Sequence, residues 1–411
     1  MFTWLKELDK RERKTLIAAT GGWATDSVDV MVFVYVIPTL MLAWGMSKVE
    51  AGWITTATVI SSAVGGWLAG ALADRFGRVR ILQLTIAWFA VFTFLCGFTN
   101  SFEQLLVMRM LQGLGFGGEW AVGSVLIGEM IRPQHRGKAV GTVQSGWAIG
   151  WGAANLLFLL LYSILPEHLA WRAMFWSGIL PALLVLYIRR NVEEPAVYSA
   201  TREETRKRGS NFLEIFSPPL LRTTVLTSLM ITGMMAGYFA VFFWLPTFLK
   251  TERGLSVLNT GLYTFVVIFG SFVGYIAAAY LSDHIGRKKN FVVFAVGSAL
   301  IAILYTQIPI NDTLMLFLGF PLGFFVSGNF SGCGPFLTEL YPSRVRGSGQ
   351  GFVYNLGRGL SAFATPLVGY LSSTMTLGKA IGMVAIVGFA VVILAVSLLP
   401  ETKGKVLAVY D

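Results

Sequence analysis

The sequence predicts an all-α membrane protein of twelve spanning helices arranged as two parallel six-helix repeats. Its 411 residues are 55% hydrophobic and only 13% charged, where a soluble domain carries about 25% charged residues. Apolar runs near the length of about 20 residues that a bilayer crossing needs recur twelve times. Polar motifs also repeat at an offset close to half the chain length. Twelve spans consume about 240 residues, so no sizeable soluble domain fits beside them.

In chain order the runs fall at 15–44, 51–73, 81–98, 103–128, 137–165 and 170–188, then at 223–249, 257–281, 291–308, 313–340, 348–372 and 380–399. The only long connection, 189–222, carries VEEPAVYSATREETRKRGS and reads as a solvated linker. This gives a first bundle over 1–190, a linker over 191–221 and a second bundle over 222–411. The opening MFTWLKELDKRERKT is polar and basic, without the short apolar stretch of a cleavable leader. Of the 32 Lys and Arg residues, 25 fall on the side of the termini and five on the other. That asymmetry places both termini in the cytoplasm. The net charge of +10 then serves topology and attraction to anionic lipid at the cytoplasmic face, and nucleic acid is not an expected partner. Cys96 and Cys333 lie in apolar stretches, and His135, His168 and His284 in or beside polar connections. No spacing among them suits a metal, a cofactor or a catalytic triad, so an enzyme is not expected.

The segment Asp74-Arg75-Phe76-Gly77-Arg78 recurs as Asp283-His284-Ile285-Gly286-Arg287 at an offset of 209, and Glu129 with Arg136-Gly137 recurs as Glu339 with Arg346-Gly347 at an offset of 210. Both copies lie on the same side of the membrane, so each half crosses an even number of times. Parallel repeats place a solute site between the halves near the midplane.

A charge near the bilayer centre costs about 2.5 to 3.5 kcal/mol and marks a cavity or a partner. Five such charges occur: Asp26 and Asp29 in the first span, Arg109 and Glu119 in the fourth, and Arg358 in the eleventh. Asp26 and Asp29 are spaced i, i+3, and repulsion between neighbouring carboxylates favours a proton on one of them. Glu119 is either a further proton carrier or a protonated acid held between glycine-rich helices. Arg358 has no acidic residue within two turns on its own helix, and a carboxylate solute matches its planar fork. The alternative is a bridge to Glu119 or Asp26. Tyr354 and Asn355 one turn before Arg358, Gln144 and Trp147 in the fifth span, and Tyr35 in the first are candidates to line the solute site, with simple packing as the alternative.

Gly70-Ala-Leu-Ala-Asp74-Arg75-Phe-Gly77-Arg78-Val-Arg80 resembles the signature connection between helices two and three of the major facilitator superfamily, and Arg109-Met-Leu-Gln112-Gly113-Leu-Gly115-Phe-Gly117-Gly118-Glu119 resembles its helix-four motif. Asp26-Ser-Val-Asp29, Thr338-Glu339-Leu-Tyr341-Pro342, Tyr354-Asn355-Leu-Gly357-Arg358 and Pro400-Glu401-Thr402-Lys403-Gly404 are similar to the proton-coupled sialate and metabolite symporters. The sialate branch usually has Asp-Gly-Phe-Asp where this chain has Asp-Ser-Val-Asp, so the resemblance leaves the solute open. It implies alternating access, with Asp29 and Arg109 as a switchable ion pair and Glu119 in the position of a symporter acid. It also implies an inward gate built from Asp74, Arg75, Gly77, Arg78, Glu129 and Arg136, and from Asp283, Gly286, Arg287, Glu339 and Arg346. The expected activity is import of a small organic acid anion (sialate, sugar acid, aromatic acid or another monocarboxylate) by a monomer in a bacterial inner membrane. The proton is the coupling ion and no cofactor is needed. A facilitator or exchanger without proton coupling is the rival, and a transporter-like nutrient sensor a more distant one.

Overall fold

The computed structural model describes residues 4–130, 136–191, 212–308, 311–342 and 345–403, and most of the expected linker lies outside them. The described residues are helices joined by short turns, with no strand among them. In chain order they are α1 (Trp4–Glu7), α2 (Lys10–Trp44), α3 (Lys48–Phe76), α4 (Arg78–Cys96), α5 (Phe102–Met130), α6 (Arg136–Ile164), α7 (Glu167–Trp176) and α8 (Ala182–Asn191). The second half continues with α9 (Pro218–Thr251), α10 (Val257–Ile285), α11 (Arg287–Thr306), α12 (Asp312–Gly328), α13 (Cys333–Leu340), α14 (Arg346–Ser361), α15 (Ala364–Leu371) and α16 (Leu377–Leu398).

Helix starts follow from their local chemistry. Asp9 and Glu12 exchange backbone-to-carboxylate bonds of 3.0 and 2.8 Å at the head of α2, and at α3 the Ser47 N–H donates to the Glu50 carboxylate while the Glu50 N–H donates to the Ser47 hydroxyl, which satisfies first-turn N–H groups reciprocally. Side chains of Ser256, Asn311 and Thr376 cap α10, α12 and α16.

Eight helices among the described residues are long and apolar enough to cross a membrane. The other four expected runs are helical as well. α3 is 29 residues long and ends in charges, and α5 holds Arg109 among its glycines. The sixth run is split between α7 and α8 by a 3-10 turn ending before Pro181, and the eleventh breaks between α14 and α15 just before Pro366. The tenth is also interrupted, by a 3-10 turn at Asn329–Gly332. Hydropathy spans these breaks because proline and the tighter turn change backbone bonding without adding polar side chains. Leu42, Phe317, Val387 and Leu394 are each more than 60% exposed, an apolar surface suited to hydrocarbon rather than water.

The chain separates into two compact units, Met1–Val36 with Ala57–Gly209 and Ile37–Thr56 with Ser210–Asp411. The second takes in the α2–α3 turn through close backbone packing. Thr56 donates to the Ala362 carbonyl at 2.8 Å, Thr365 donates to that of Gly52 at 3.2 Å, and a Cβ on Gly52 would meet Pro366 Cα at 2.5 Å.

Inside each unit the duplication is visible atom for atom. In the first, a Cβ on Gly65 of α3 would lie 2.0 Å from the Leu114 carbonyl oxygen of α5, and one on Gly113 would lie 2.4 Å from that of Thr58. In the second, a Cβ on Gly274 of α10 would lie 2.2 Å from the Phe324 carbonyl oxygen of α12, and one on Gly323 would lie 1.9 Å from that of Val267. These are the same four positions moved by 209 or 210 residues. Only a missing side chain allows helices this close.

Candidate functional site

In the first unit α2, α4 and α5 converge on Asp29, which is 1% exposed. Arg109 and Gln112 stand three residues apart on one face of α5. Arg109 Nη1 donates to Asp29 Oδ2 at 3.5 Å, and Gln112 Nε2 donates to the same oxygen. Thr93 Oγ1, from α4, donates to Oδ1. The guanidinium also lies 4.8 Å from the ring centroid of Phe33, one helical turn beyond Asp29, and an aromatic face favours a cation. The carboxylate thus has one donor on one oxygen and two on the other. Asp26, a turn earlier on α2, is fully buried.

Gln144, Trp147 and Trp151 share one face of α6. Trp151 Nε1 donates to the Tyr35 hydroxyl at 3.2 Å, and Tyr35 stacks on Phe158 with centroids 4.7 Å apart. Trp147 tilts against Trp23 at 4.9 Å. Tyr35 and Trp147 therefore pack between α2 and α6, while Gln144 Oε1 is buried without a hydrogen-bond partner among the described residues.

In the second unit Arg358 is buried on α14, and the Tyr354 hydroxyl lies within electrostatic reach of its guanidinium and of the Cys333 thiol. Asn355 turns its amide back to the Gly351 carbonyl at 2.9 Å. The Tyr275 hydroxyl lies beside those of Tyr238, Ser327 and Tyr354. Tyr238 meets Phe330 edge-on at 5.1 Å, and Cys333 donates to the Met234 sulfur at 3.4 Å. A guanidinium beside Tyr354, whose hydroxyl in turn lies near Tyr275 and Cys333, can hold an anion whose body is planar or apolar.

A third cluster lies at the α10–α11 turn. Gly77 and Gly286 occupy equivalent places in the two repeats with φ of 110° and 99°, a region that only glycine enters freely. Arg287 grips Glu339 through Nη2 at 2.9 Å and Nε at 3.2 Å, and donates to Ser282 at 3.0 Å. Glu401 accepts the first backbone N–H groups of α11, from Arg287 at 2.9 Å and Lys288 at 3.2 Å, and those of Thr402 and Lys403. Partial burial pushes the Glu401 carboxyl up, but these donors outweigh it and hold it below the usual carboxylate range. Thr402 also donates to Glu339. The side chains of Glu119, Asp74, Arg75, Arg78, Glu129, Arg136, Asp283 and Arg346 lie outside the described residues.

The resemblance paired Asp29 with Arg109 and its motifs contained Gln112 and Glu401 without a role for either, while Thr93, Tyr238 and Tyr275 were missed. Gln112 had a signal in its i+3 spacing from Arg109. Thr93 had none beyond being polar within an apolar run.

The description "Major Facilitator Superfamily" fits residues 21–309 and 260–409. The chain belongs to this superfamily. A probable 4-methylmuconolactone transporter of Cupriavidus pinatubonensis is 43% identical over 404 residues, covering 98% of this chain and 94% of that one. A sialic acid transporter of Escherichia coli is 28% identical, covering 98% and 97%. The crystal structure of a D-xylose–proton symporter superposes with a TM-score of 0.75 at 20% identity, over 96% of this chain and 99% of that one. This major facilitator chain is accordingly a multi-pass membrane transporter and not an enzyme.

Proposed function

We propose that the chain is a proton-coupled symporter that imports a small organic acid anion by alternating access. The observation that carries the proposal is the buried Asp29–Arg109 pair inside the spanning helices of a transporter. Two charges held in a bilayer are expensive unless they neutralise each other. Protonation of Asp29 cancels that neutrality and leaves the guanidinium with a net charge, a local electrostatic change able to bias one access state over the other.

Arg358 in the other unit supplies the forked donor for the solute carboxylate, with Tyr354, Tyr275 and Tyr238 as its aromatic surroundings. The relatives named for methylmuconolactone and sialic acid support a small acid as the solute. Tyrosine rings favour one with an unsaturated or cyclic body. The same proposal includes bundles over 1–190 and 222–411, cytoplasmic termini, anionic lipid at the basic face, and a monomer in a bacterial inner membrane. Gly286, Arg287, Glu339 and Glu401 would form the inward gate.

The test is uptake into proteoliposomes of labelled 4-methylmuconolactone, sialate, hexonates, aromatic acids and short hydroxy acids, with and without an imposed pH gradient. Accumulation that a protonophore abolishes supports the proposal. Equilibration to the same level with and without the gradient refutes it and leaves a facilitator.

A further inference from the structure

Asp29 is held by two kinds of partner. Arg109 can only donate, whereas a threonine hydroxyl and a glutamine amide can each donate or accept. In the structure all three donate to the carboxylate. The opposite atom of the Gln112 amide, Oε1, is buried without a partner among the described residues, and Gln112 itself is fully buried. Thr93 is fully buried too, and its methyl is fixed from behind: a Cβ on Gly178 would lie 2.2 Å from Thr93 Cγ2. Its side chain therefore has little freedom to turn away from Asp29, to which its hydroxyl donates.

A protonated carboxyl is a donor at one oxygen and an acceptor at the other. A proton arriving on Oδ2 meets two donors, Gln112 Nε2 and Arg109 Nη1. A half-turn of the amide exchanges Nε2 for the idle Oε1 and supplies the missing acceptor within the same volume. A proton arriving on Oδ1 meets Thr93, whose hydroxyl need only rotate to accept. Arg109 has no such alternative.

We propose that Thr93 and Gln112 are positioning residues for the coupled proton, keeping Asp29 hydrogen-bonded in both protonation states so that proton uptake releases Arg109 and no other partner. The inference rests on the proton-coupled reading given above. The step adds one proton to Asp29 and takes none from Arg109, so the cluster passes from neutral to singly positive. The titratable groups that face Asp29 among the described residues are Arg109 on α5 and Cys96 on α4, with Asp26 one turn away on α2. Of these, Arg109 can only donate and so supplies no acceptor at Oδ2.

The experiment titrates purified protein in lipid and follows the carboxylic acid carbonyl band by infrared difference spectroscopy. The Asp29 band is identified by its loss in Asp29→Asn. In Thr93→Val and Gln112→Met the ionised form loses a charge-assisted bond and the protonated form a weaker neutral one, so the midpoint is expected to move to higher pH by about one unit. Thr93→Ser, which restores the hydroxyl, is expected to return it to the wild-type value. Unchanged midpoints in both variants overturn the inference, as does a wild-type spectrum with no titrating band that Asp29→Asn removes. Uptake under a pH gradient, measured in parallel, separates the two levels. Gradient-driven accumulation that survives Asp29→Asn refutes proton coupling through Asp29, whereas its loss alongside unmoved midpoints refutes only the role of Thr93 and Gln112.

Discussion

Alternating access requires each bundle to move as a rigid body, and the glycine contacts between α10 and α12 offer a direct measure of that rigidity. In Gly323→Ala the new methyl would stand 1.9 Å from the Val267 carbonyl oxygen and 2.7 Å from Ser271 N. A comfortable carbon-to-oxygen approach is about 3.3 Å, so the helices must part by about 1 Å or more. Alanine gains about 1 kcal/mol of helix propensity over glycine. Overpacking of a closed interface costs about 1 to 3 kcal/mol and sometimes more, and parting the helices also loosens dispersion contacts along the seam. An approach as short as 1.9 Å belongs to the upper part of that range, about 2 to 3 kcal/mol, so after the propensity gain the expected net effect is a loss of about 1 to 2 kcal/mol. Gly359→Ala on α14 is the control, since its Cβ would meet nothing within 4 Å, and there the propensity gain stands alone. The assay is thermal unfolding of purified protein in detergent, with a clear fall in midpoint for Gly323→Ala and none for Gly359→Ala. Equal midpoints for the two variants would refute the argument that these contacts close the seam.

Further outcomes follow from the other clusters. Arg358→Lys keeps the charge but loses the fork, so affinity for a transported anion should fall by about 1.5 to 3 kcal/mol in a binding titration, while its neutral amide loses little; equal losses would contradict a carboxylate clamp. Glu401 is held below the usual carboxylate range, so its stabilising effect is present above that range and is lost as pH falls through the lowered value. Glu401→Gln should therefore melt earlier than wild type at neutral pH and show a flatter acid limb in thermal unfolding against pH. A cysteine placed at Ser101 should react with an impermeant thiol reagent added outside sealed cells and one at Ser210 should not, against a low background because Cys96 and Cys333 are both buried.

Much of this architecture was legible because a bilayer leaves little freedom. Twelve apolar runs follow from the cost of exposing backbone and charge to hydrocarbon, the motif offset of 209 reflects a duplicated half, and Gly77 and Gly286 repeat because the turn demands positive φ. The mid-span charges were readable since they are few and must meet something, and the resemblance to the major facilitators supplied the pairing of Asp29 with Arg109. The breaks near Pro181 and Pro366 were not, because hydropathy averages over them. Thr93 and Gln112 were hidden for another reason: neutral polar side chains are cheap in a helix, and their meaning appears only when α4 and α5 bring them to the same carboxylate. Tyr238 and Tyr275 look like ordinary apolar packing until the fold sets Tyr275 beside both Tyr238 and Tyr354. Glu401 stood out only as part of a family-like motif beyond the last span, and its role appears when it meets the start of α11.

The central claim is that Asp29 carries the coupled proton. The most direct test compares two modes of transport in proteoliposomes containing Asp29→Asn, using an anion that the wild type accumulates. Net uptake driven by a pH gradient requires the proton to bind and leave, whereas exchange of labelled for unlabelled solute requires only that the loaded carrier reorient. The account predicts that Asp29→Asn abolishes gradient-driven accumulation and retains exchange. Accumulation at the wild-type level in the same variant would contradict it.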